Sequence, residues 1–519
     1  MEPDRVGSAN TFTRRRFLIS VGAIAVGGAS VAAVAQLVGD YRPGLREAAA
    51  APAGTPGRHS FLSRPDLTPP VVTITGEKRR PDGLYTFLTP SNGAAPDGPT
   101  IIDRTGELVW MLPSAKGVAA TDLHVVEYAN ASALAWWEGA LNEGIGSGAF
   151  VLVDEAYQPI GRISAGNGRQ ADLHELQLTS RGTALIWADA QQPGPVYGHP
   201  TPTPWPIMDS AVQEIDLVTG RVVFEWRASE HIGLDESYIA PPTGANQVYD
   251  YIHGNAIDED ADGNLIVSAR NTSAIYKVDR KTGDILWRLG GKKSDIRVAQ
   301  DASFGWQHDV RRRYDGTITM FDNGASEAPG RSRGLRIRPD LGAGTASLVT
   351  SYDRPDGLLS TSQGNVQLLA DGGAFIGWGS RPFFSEYAAD GTLLVDATFP
   401  ASTESYRDYR QAWTGRPTDA PAVAVDFPAG TRGPTASGDG SARSVYASWN
   451  GATSVGTWQV LTGDAASDLN VVAAAPRSGF ETGIVAPALG AYVAVRAHDE
   501  LGGLLGESAP IVVPAPVSG

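Results

Sequence analysis

The sequence predicts an all-β chain: a six-bladed β-propeller followed by a C-terminal immunoglobulin/fibronectin-like β-sandwich. Three observations carry that expectation. A strand–turn–strand pair with a polar head recurs, opened in turn by Leu123-His124, Leu173-His174, Ile252-His253, Gln307-His308 and Gly364-Asn365. A second hairpin alternates with it, in which an Asp-to-Gly tight turn leads into alternating apolar residues that end in Trp. The chain also holds 61 glycines and 35 prolines, as many short strands joined by turns require.

In chain order, residues 1–35 read as an export signal. Thr13-Arg14-Arg15-Arg16-Phe17-Leu18 is basic and runs into an apolar stretch from Leu18 to Val34, and Ala33-Val34-Ala35 offers a small-x-small cleavage site. Paired arginines ahead of a moderately apolar segment mark a twin-arginine-type signal, so the expected location is extracellular or at the cell envelope. Left uncleaved, the segment approaches spanning length and would anchor the chain in a membrane. Residues 36–60 are rich in Ala, Pro and Gly without periodicity and are expected to be a flexible linker.

Residues 61–413 form the expected propeller. The outer hairpins are Ile102-Asp-Arg-Thr-Gly106 running to Trp110, Ile215-Asp-Leu-Val-Thr-Gly220 running to Trp226, and Val278-Asp-Arg-Lys-Thr-Gly283 running to Trp287. Inner plus outer pair makes a four-stranded unit, and five units start near residues 121, 171, 250, 305 and 362. A sixth is assembled from Val71–Ile74, Tyr85–Thr89 and the pair around Asp103. Inner strands of a propeller line its central channel, so their polar heads are expected to converge there. After Thr414-Gly-Arg-Pro417 the texture changes to strict alternation, as in Ser444–Trp449 and Ala491–Arg496. Residues 418–517 are therefore the expected sandwich, with Trp458 in its core.

Composition closes several routes. A formal charge of −15 argues against a nucleic-acid surface, and the absence of cysteine excludes disulfides, thiolate metal sites and a cysteine nucleophile. The heads supply other chemistry. Four of the five heads are histidine in a chain with eight histidines in all. His308 is the candidate nucleophile or base, with Asp309 on the opposite face under strict alternation. His253 and Asn255 fall on one face, two apart, and are expected to reach one ligand. Arg270 ends an apolar run and, if buried, needs an anionic partner, which points to an anionic substrate. His174 and His124 take the matching place in earlier units, and Asn365 in a later one. Any one of these histidines alone would more simply brace its neighbouring blade. A metal site is disfavoured because Arg270 would repel a cation and the inner positions show no consistent carboxylate partner.

The motifs Leu173-His174-Glu175, His253-Gly-Asn255 with Arg270, and Gln307-His308-Asp309 with Phe321-Asp-Asn323-Gly resemble those of bacterial arylsulfotransferases. The opening Ser63-Arg-Pro-Asp-Leu67 and the sandwich tail are similar to the actinobacterial branch. The resemblance implies a six-bladed propeller that moves a sulfuryl group from a phenolic sulfate ester to a phenol by ping-pong kinetics, without phosphoadenosine phosphosulfate and without a cofactor. It implies His308 as the nucleophile that becomes a transient sulfohistidine, and His253, Asn255 and Arg270 holding the sulfuryl oxygens. His174 becomes the general acid/base for the phenol oxygen, while His124 and Asn365 are expected to line the substrate site. The chain departs from the better-studied periplasmic members, which resemble one another in an extra N-terminal domain and a disulfide. Its partners are expected to be small aryl sulfates and phenols, and oligomeric state is not legible. Two other readings stand beside this one: a non-catalytic extracytoplasmic binding propeller, and a quinoprotein-type dehydrogenase, which needs a quinone and usually calcium.

Overall fold

The structure, a computed structural model, describes residues 57–513 apart from 77–82, 92–97, 143, 193, 200, 202, 245, 325–329 and 427–442. The expected export signal or anchor over 1–35, most of the linker and residues 514–517 lie outside the described residues. Residues 57–60 of the expected linker already pair back on the chain, Arg58 bridging Pro70. Among the described residues helix is confined to three 3-10 turns, Ala228–Glu230, Leu234–Glu236 and Gln300–Ala302, and no helix is long and apolar enough to cross a membrane.

The rest of the regular structure is sheet, antiparallel but for the short parallel pairing of Arg297–Val298 with Thr345–Ala346 and two isolated parallel bridges. Four-stranded meanders open on Ala119–Tyr128, Gln170–Leu178, Gly254–Glu259, His308–Arg312 and Asn365–Leu368, matching the five units read from the sequence. The first two are stitched together by the single pair Ala171–Gly148. The outer turns form as their Asp-to-Gly spacing dictates. Asp103, Asp216 and Asp279 each turn Oδ1 back to accept a backbone N–H, from Thr105 at 2.7 Å, Thr219 at 2.7 Å and Thr282 at 3.0 Å. Gly106, Gly220 and Gly283 then take φ of +90°, +68° and +79°, which a side chain would resist. The terminal tryptophan hooks the next unit: Trp226 Nε1 donates to Gly283 O at 2.9 Å.

Alternating apolar residues put the core between consecutive sheets. Leu185, Trp187 and Val212 pack with Ile257, Val267 and Tyr276 of the following unit. Ile266 and Ile275 meet Met320 and Ile337, and Phe321 and Tyr352 meet Val366 and Ile376. Burying such faces from both sides is the main favourable term holding the sheets to one another.

The remaining meander corrects one expectation. The strand at Val71–Ile74 does not belong to the first unit: it lies at Thr73–Gly76 on the edge of the last sheet, paired with Leu393–Thr398. Its expected place is filled from the far end of the segment by Tyr409–Ala412, which pairs with Leu84–Leu88 ahead of Thr100–Ile102 and Leu108–Met111. Each end of the repeat array thus satisfies backbone groups that the other would leave open. Strand period identifies strands; it does not name their partners.

Two further sheets follow. Ala422–Asp426, Arg443–Ser448 and Glu481–Ala486 form one, and Asp468–Pro476, Thr457–Ala465, Tyr492–His498, Leu504–Glu507 and Ile511–Val512 the other. Both contribute to one core of Val445, Trp458, Val460, Ile484, Val493 and Val495. They are tied to the first meanders by polar clamps. Asn450 exchanges two bonds with the Met111 backbone at 3.0 and 2.9 Å, Tyr157 donates to Gly451 O at 2.8 Å, and Glu481 accepts from Ser63 N at 2.6 Å.

Candidate active site

The four histidine-bearing heads sit at irregularities in their inner pairs, while Asn365 pairs in regular register with Gly377. Register jumps between Thr121 and His124, Ala171 and Leu176, Gly254 and Ala256, and His308 and Arg311. Such bulges re-aim side chains away from strict alternation. The backbone confirms it, with left-handed φ at Asp122 (+62°), His253 (+52°), Trp306 (+55°), Asp309 (+51°) and Gln363 (+66°). The same irregularity undoes one expectation drawn from alternation. Asn255 does not reach out beside His253, but turns inward and donates Nδ2 to Gln307 O at 2.7 Å. Asp309 braces the next sheet, accepting from Val366 N at 2.9 Å and from Arg311 Nε at 2.9 Å.

Three imidazoles come together. His174 and His253 meet edge to face with centroids 4.8 Å apart, and His174 and His308 lie 6.4 Å apart. What stands behind each ring differs. His174 Nδ1 bonds Asp172 Oδ1, and Asp172 also accepts from Gly146 N at 2.8 Å. His253 Nδ1 lies 2.5 Å from Asp250 Oδ2, whose other oxygen accepts from His253 N at 2.9 Å. Burial pushes the Asp172 carboxyl up, but His174 and the donated bonds pull harder and hold it below the usual carboxylate value.

His308 has no carboxylate behind it. Its Nδ1 lies 2.7 Å from Asn323 Oδ1 and 3.0 Å from Trp306 O. Asn323 spends Nδ2 on the carbonyls of Ser360 and Gln363, at 2.9 and 3.0 Å, so its oxygen must face the ring. Both neighbours of Nδ1 are therefore acceptors, Nδ1 carries the proton, and Nε2 keeps the lone pair. Gln363 N–H donates to that lone pair at 3.2 Å. Burial, then the charges of His174 and Arg270, hold the His308 pKa well below the ordinary histidine value. It is a neutral imidazole.

Arg270 completes the cluster. Its backbone N donates to His253 O at 3.0 Å, and its guanidinium lies 4.0 Å from the Trp306 ring centre. Nη1 and Nη2 donate to Asn271 Oδ1 at 2.9 Å and Thr361 O at 3.3 Å, both neutral acceptors. Among the described residues no carboxylate forms an ion pair with it.

Of the residues singled out in the sequence, His174, His253, His308 and Arg270 are brought together. His124 is not with them; its Nδ1 bonds Asp122 O at 2.8 Å and its ring meets Tyr409. Asn365 is a clamp, giving Nδ2 to Asp408 O at 2.7 Å and taking Asp408 N at 3.0 Å. Sequence reasoning missed the carboxylates, although Asp172-Leu-His174 and Asp250-Tyr-Ile-His253 carry them two and three residues ahead. It also missed Asp189, whose carboxyl is raised well above its usual value by burial and by Asp172 and Asp250. Last, it missed Arg407, fully buried at the head of the closing strand. Arg407 reaches Glu175 at 3.4 Å, Asp122 at 3.5 Å and Asn255 O at 2.9 Å, while Tyr406 beside it packs edge-on against His174. Among the described residues no group of three or more histidines and carboxylates is arranged to hold a metal ion.

Comparisons with known proteins bear on this geometry. Solved structures that overlap the chain include a protein of unknown function from Bacteroides caccae, at 13% identity over 64% of this chain and 100% of that one, TM-score 0.40. Another is a catalytically inactive virginiamycin B lyase from Staphylococcus aureus with quinupristin, at 10% identity over 63% and 99%, TM-score 0.33. The Dos1 propeller overlaps at 9% identity over 61% and 75%, TM-score 0.29. These overlaps are too low to assign chemistry. A comparison with curated proteins found no match. A family model, arylsulfotransferase (ASST), matches residues 124–400, more than half of the chain and all four clustered residues. On that match the chain belongs to the arylsulfotransferase (ASST) family.

Proposed function

We propose that this chain is an arylsulfate sulfotransferase working through a sulfohistidine on His308. The observation that carries the reading is the unequal backing of the three imidazoles. His174 and His253 each set Nδ1 against a carboxylate, Asp172 partly opposing the burial that lowers the His174 pKa. The amide of Asn323 instead fixes the proton on His308 Nδ1 and leaves Nε2, held only by the long Gln363 N–H contact, as the atom that attacks.

In the first half-reaction the His308 Nε2 pair forms a bond to sulfur as the sulfur–oxygen bond to the aryl group breaks. The leaving oxygen takes a proton from His174, and Asn323 keeps hold of Nδ1–H on the now cationic ring. His253 and Arg270 hold the sulfuryl oxygens, where negative charge spreads in the transition state. Asn255 acts one step back, fixing the Gln307 carbonyl that precedes His308. In the second half-reaction a phenol gives its proton to His174 and attacks sulfur, and the nitrogen–sulfur bond breaks to return neutral His308. Atoms and charge balance without a cofactor.

The architecture that supports this chemistry is read as a six-bladed propeller, one blade per meander, with the last two sheets as an immunoglobulin-like sandwich. Export by the twin-arginine route is proposed on Thr13–Leu18 alone.

The test is transfer from p-nitrophenyl sulfate to phenol by purified residues 57–519. Phenol-dependent release of nitrophenol, lost in His308→Ala and in His308→Asn, is the expected result. Tight binding of aryl sulfates with no turnover by wild type would instead leave a binding propeller.

A further inference from the structure

We propose that Trp306 is the positioning residue that sets Arg270 against His308, an inference that rests on the sulfuryl-transfer reading of the site. A single residue touches both partners. Its indole face lies 4.0 Å from the guanidinium, and its carbonyl oxygen lies 3.0 Å from His308 Nδ1 and accepts from it. A left-handed backbone at φ +55° makes the double contact possible. Bulky side chains rarely adopt that conformation, and it persists only where surroundings hold it. Here the Trp306 N–H donates to Ser273 Oγ at 3.3 Å.

The indole Nε1 is buried without a hydrogen-bond partner, so the side chain is not there for its polar handle. It is there for its face. The other contacts of the guanidinium are the neutral acceptors Asn271 Oδ1 and Thr361 O. A carboxylate in their place would fix the guanidinium plane but cancel its charge. An aromatic face fixes the plane and leaves the charge for an incoming anion. For a sulfate monoester the consequence is a cation held at a set distance from the nucleophile before substrate arrives.

The experiment is a double-mutant cycle between Trp306→Leu and Arg270→Met, with Trp306→Phe as the conservative variant. It has two readouts: kcat/KM for p-nitrophenyl sulfate, and equilibrium binding of the same ester in a His308→Asn background, where turnover is blocked. Trp306→Leu is expected to weaken both by about tenfold when Arg270 is present, and Trp306→Phe, which keeps a ring face, by no more than about threefold. In the Arg270→Met background the Trp306→Leu penalty should shrink to less than about twofold, the signature of a residue acting through its partner. A penalty that stays full-sized without the guanidinium, or a Trp306→Phe protein as impaired as Trp306→Leu, overturns the proposal. Binding separates it from the reading beneath it. If wild type binds the ester but never transfers sulfuryl, sulfotransfer fails while the binding cycle still decides the role of Trp306.

Discussion

Asn323 decides the state of His308, because an amide whose N–H groups are spent on two carbonyls can only accept from the ring. The depressed pKa keeps the imidazole neutral at pH 7, so the acid limb of activity should begin only where pH drops through that depressed value. Asn323→Asp places a carboxylate behind the ring and favours imidazolium, as Asp172 does for His174 against the burial that lowers it. The acid limb of kcat/KM against pH should then move to higher pH, with a lower rate at pH 7. Asp408 supplies a second pH-dependent test, on stability. It is fully buried, neither carboxylate oxygen has a hydrogen-bond partner, and burial pushes its carboxyl up to about 8 against a weaker pull from Ser405. Between the ordinary carboxylate value and 8 the folded protein holds the proton that the unfolded chain has lost, so stability falls as pH rises through that window. Asp408→Asn removes the penalty. It should raise the melting temperature near pH 7.5, by the equivalent of a few kcal/mol, and change little near pH 4.

At the scale of the element, the bulged head is the unit on which the site is built. Asn255 shows what it does structurally, sending its amide sideways to the Gln307 carbonyl of the following head; Asn365, in a regular pair, does the same to Asp408. Asn255→Ala should therefore lower the melting temperature, by the equivalent of ~1–3 kcal/mol, because it leaves the buried Gln307 carbonyl without its donor. A calorimetric scan checks it, and a variant of wild-type stability with impaired sulfate binding would return Asn255 to the ligand. This is also where sequence reading reached its limit. Period-2 alternation located the five heads and their histidines, because the strands on either side are regular. It misassigned Asn255, because one extra residue in a strand flips every side chain after it, and nothing in His253-Gly254-Asn255 announces where that residue falls. The carboxylates two and three residues before His174 and His253 were in plain view. Only the bulge turns them back onto their own rings.

At the scale of the whole molecule, several of the sheets are joined by a buried charge network. Arg407 and Arg311 share Glu175, and Arg407 also faces Asp122 and Asp309. Removing one side of such a network strands the other in a dry interior. Arg407→Ala should thus be destabilised by about 3–5 kcal/mol or fail to accumulate folded, as urea unfolding would measure. The sequence could not show this hub, since its members lie far apart in the chain and Arg407 carries no local pattern beyond leading a short strand. That strand, Tyr409–Ala412, closes the first sheet with residues from its far end. Its consequence is temporal. A nascent chain that has left the ribosome only as far as residue 405 already owns His174, His253, Arg270 and His308, yet lacks Tyr406 beneath His174 and the arginine that joins the network. Every member of the histidine cluster is made before the residues that pack against it, and the proposed site is completed only with the strand that closes the first sheet.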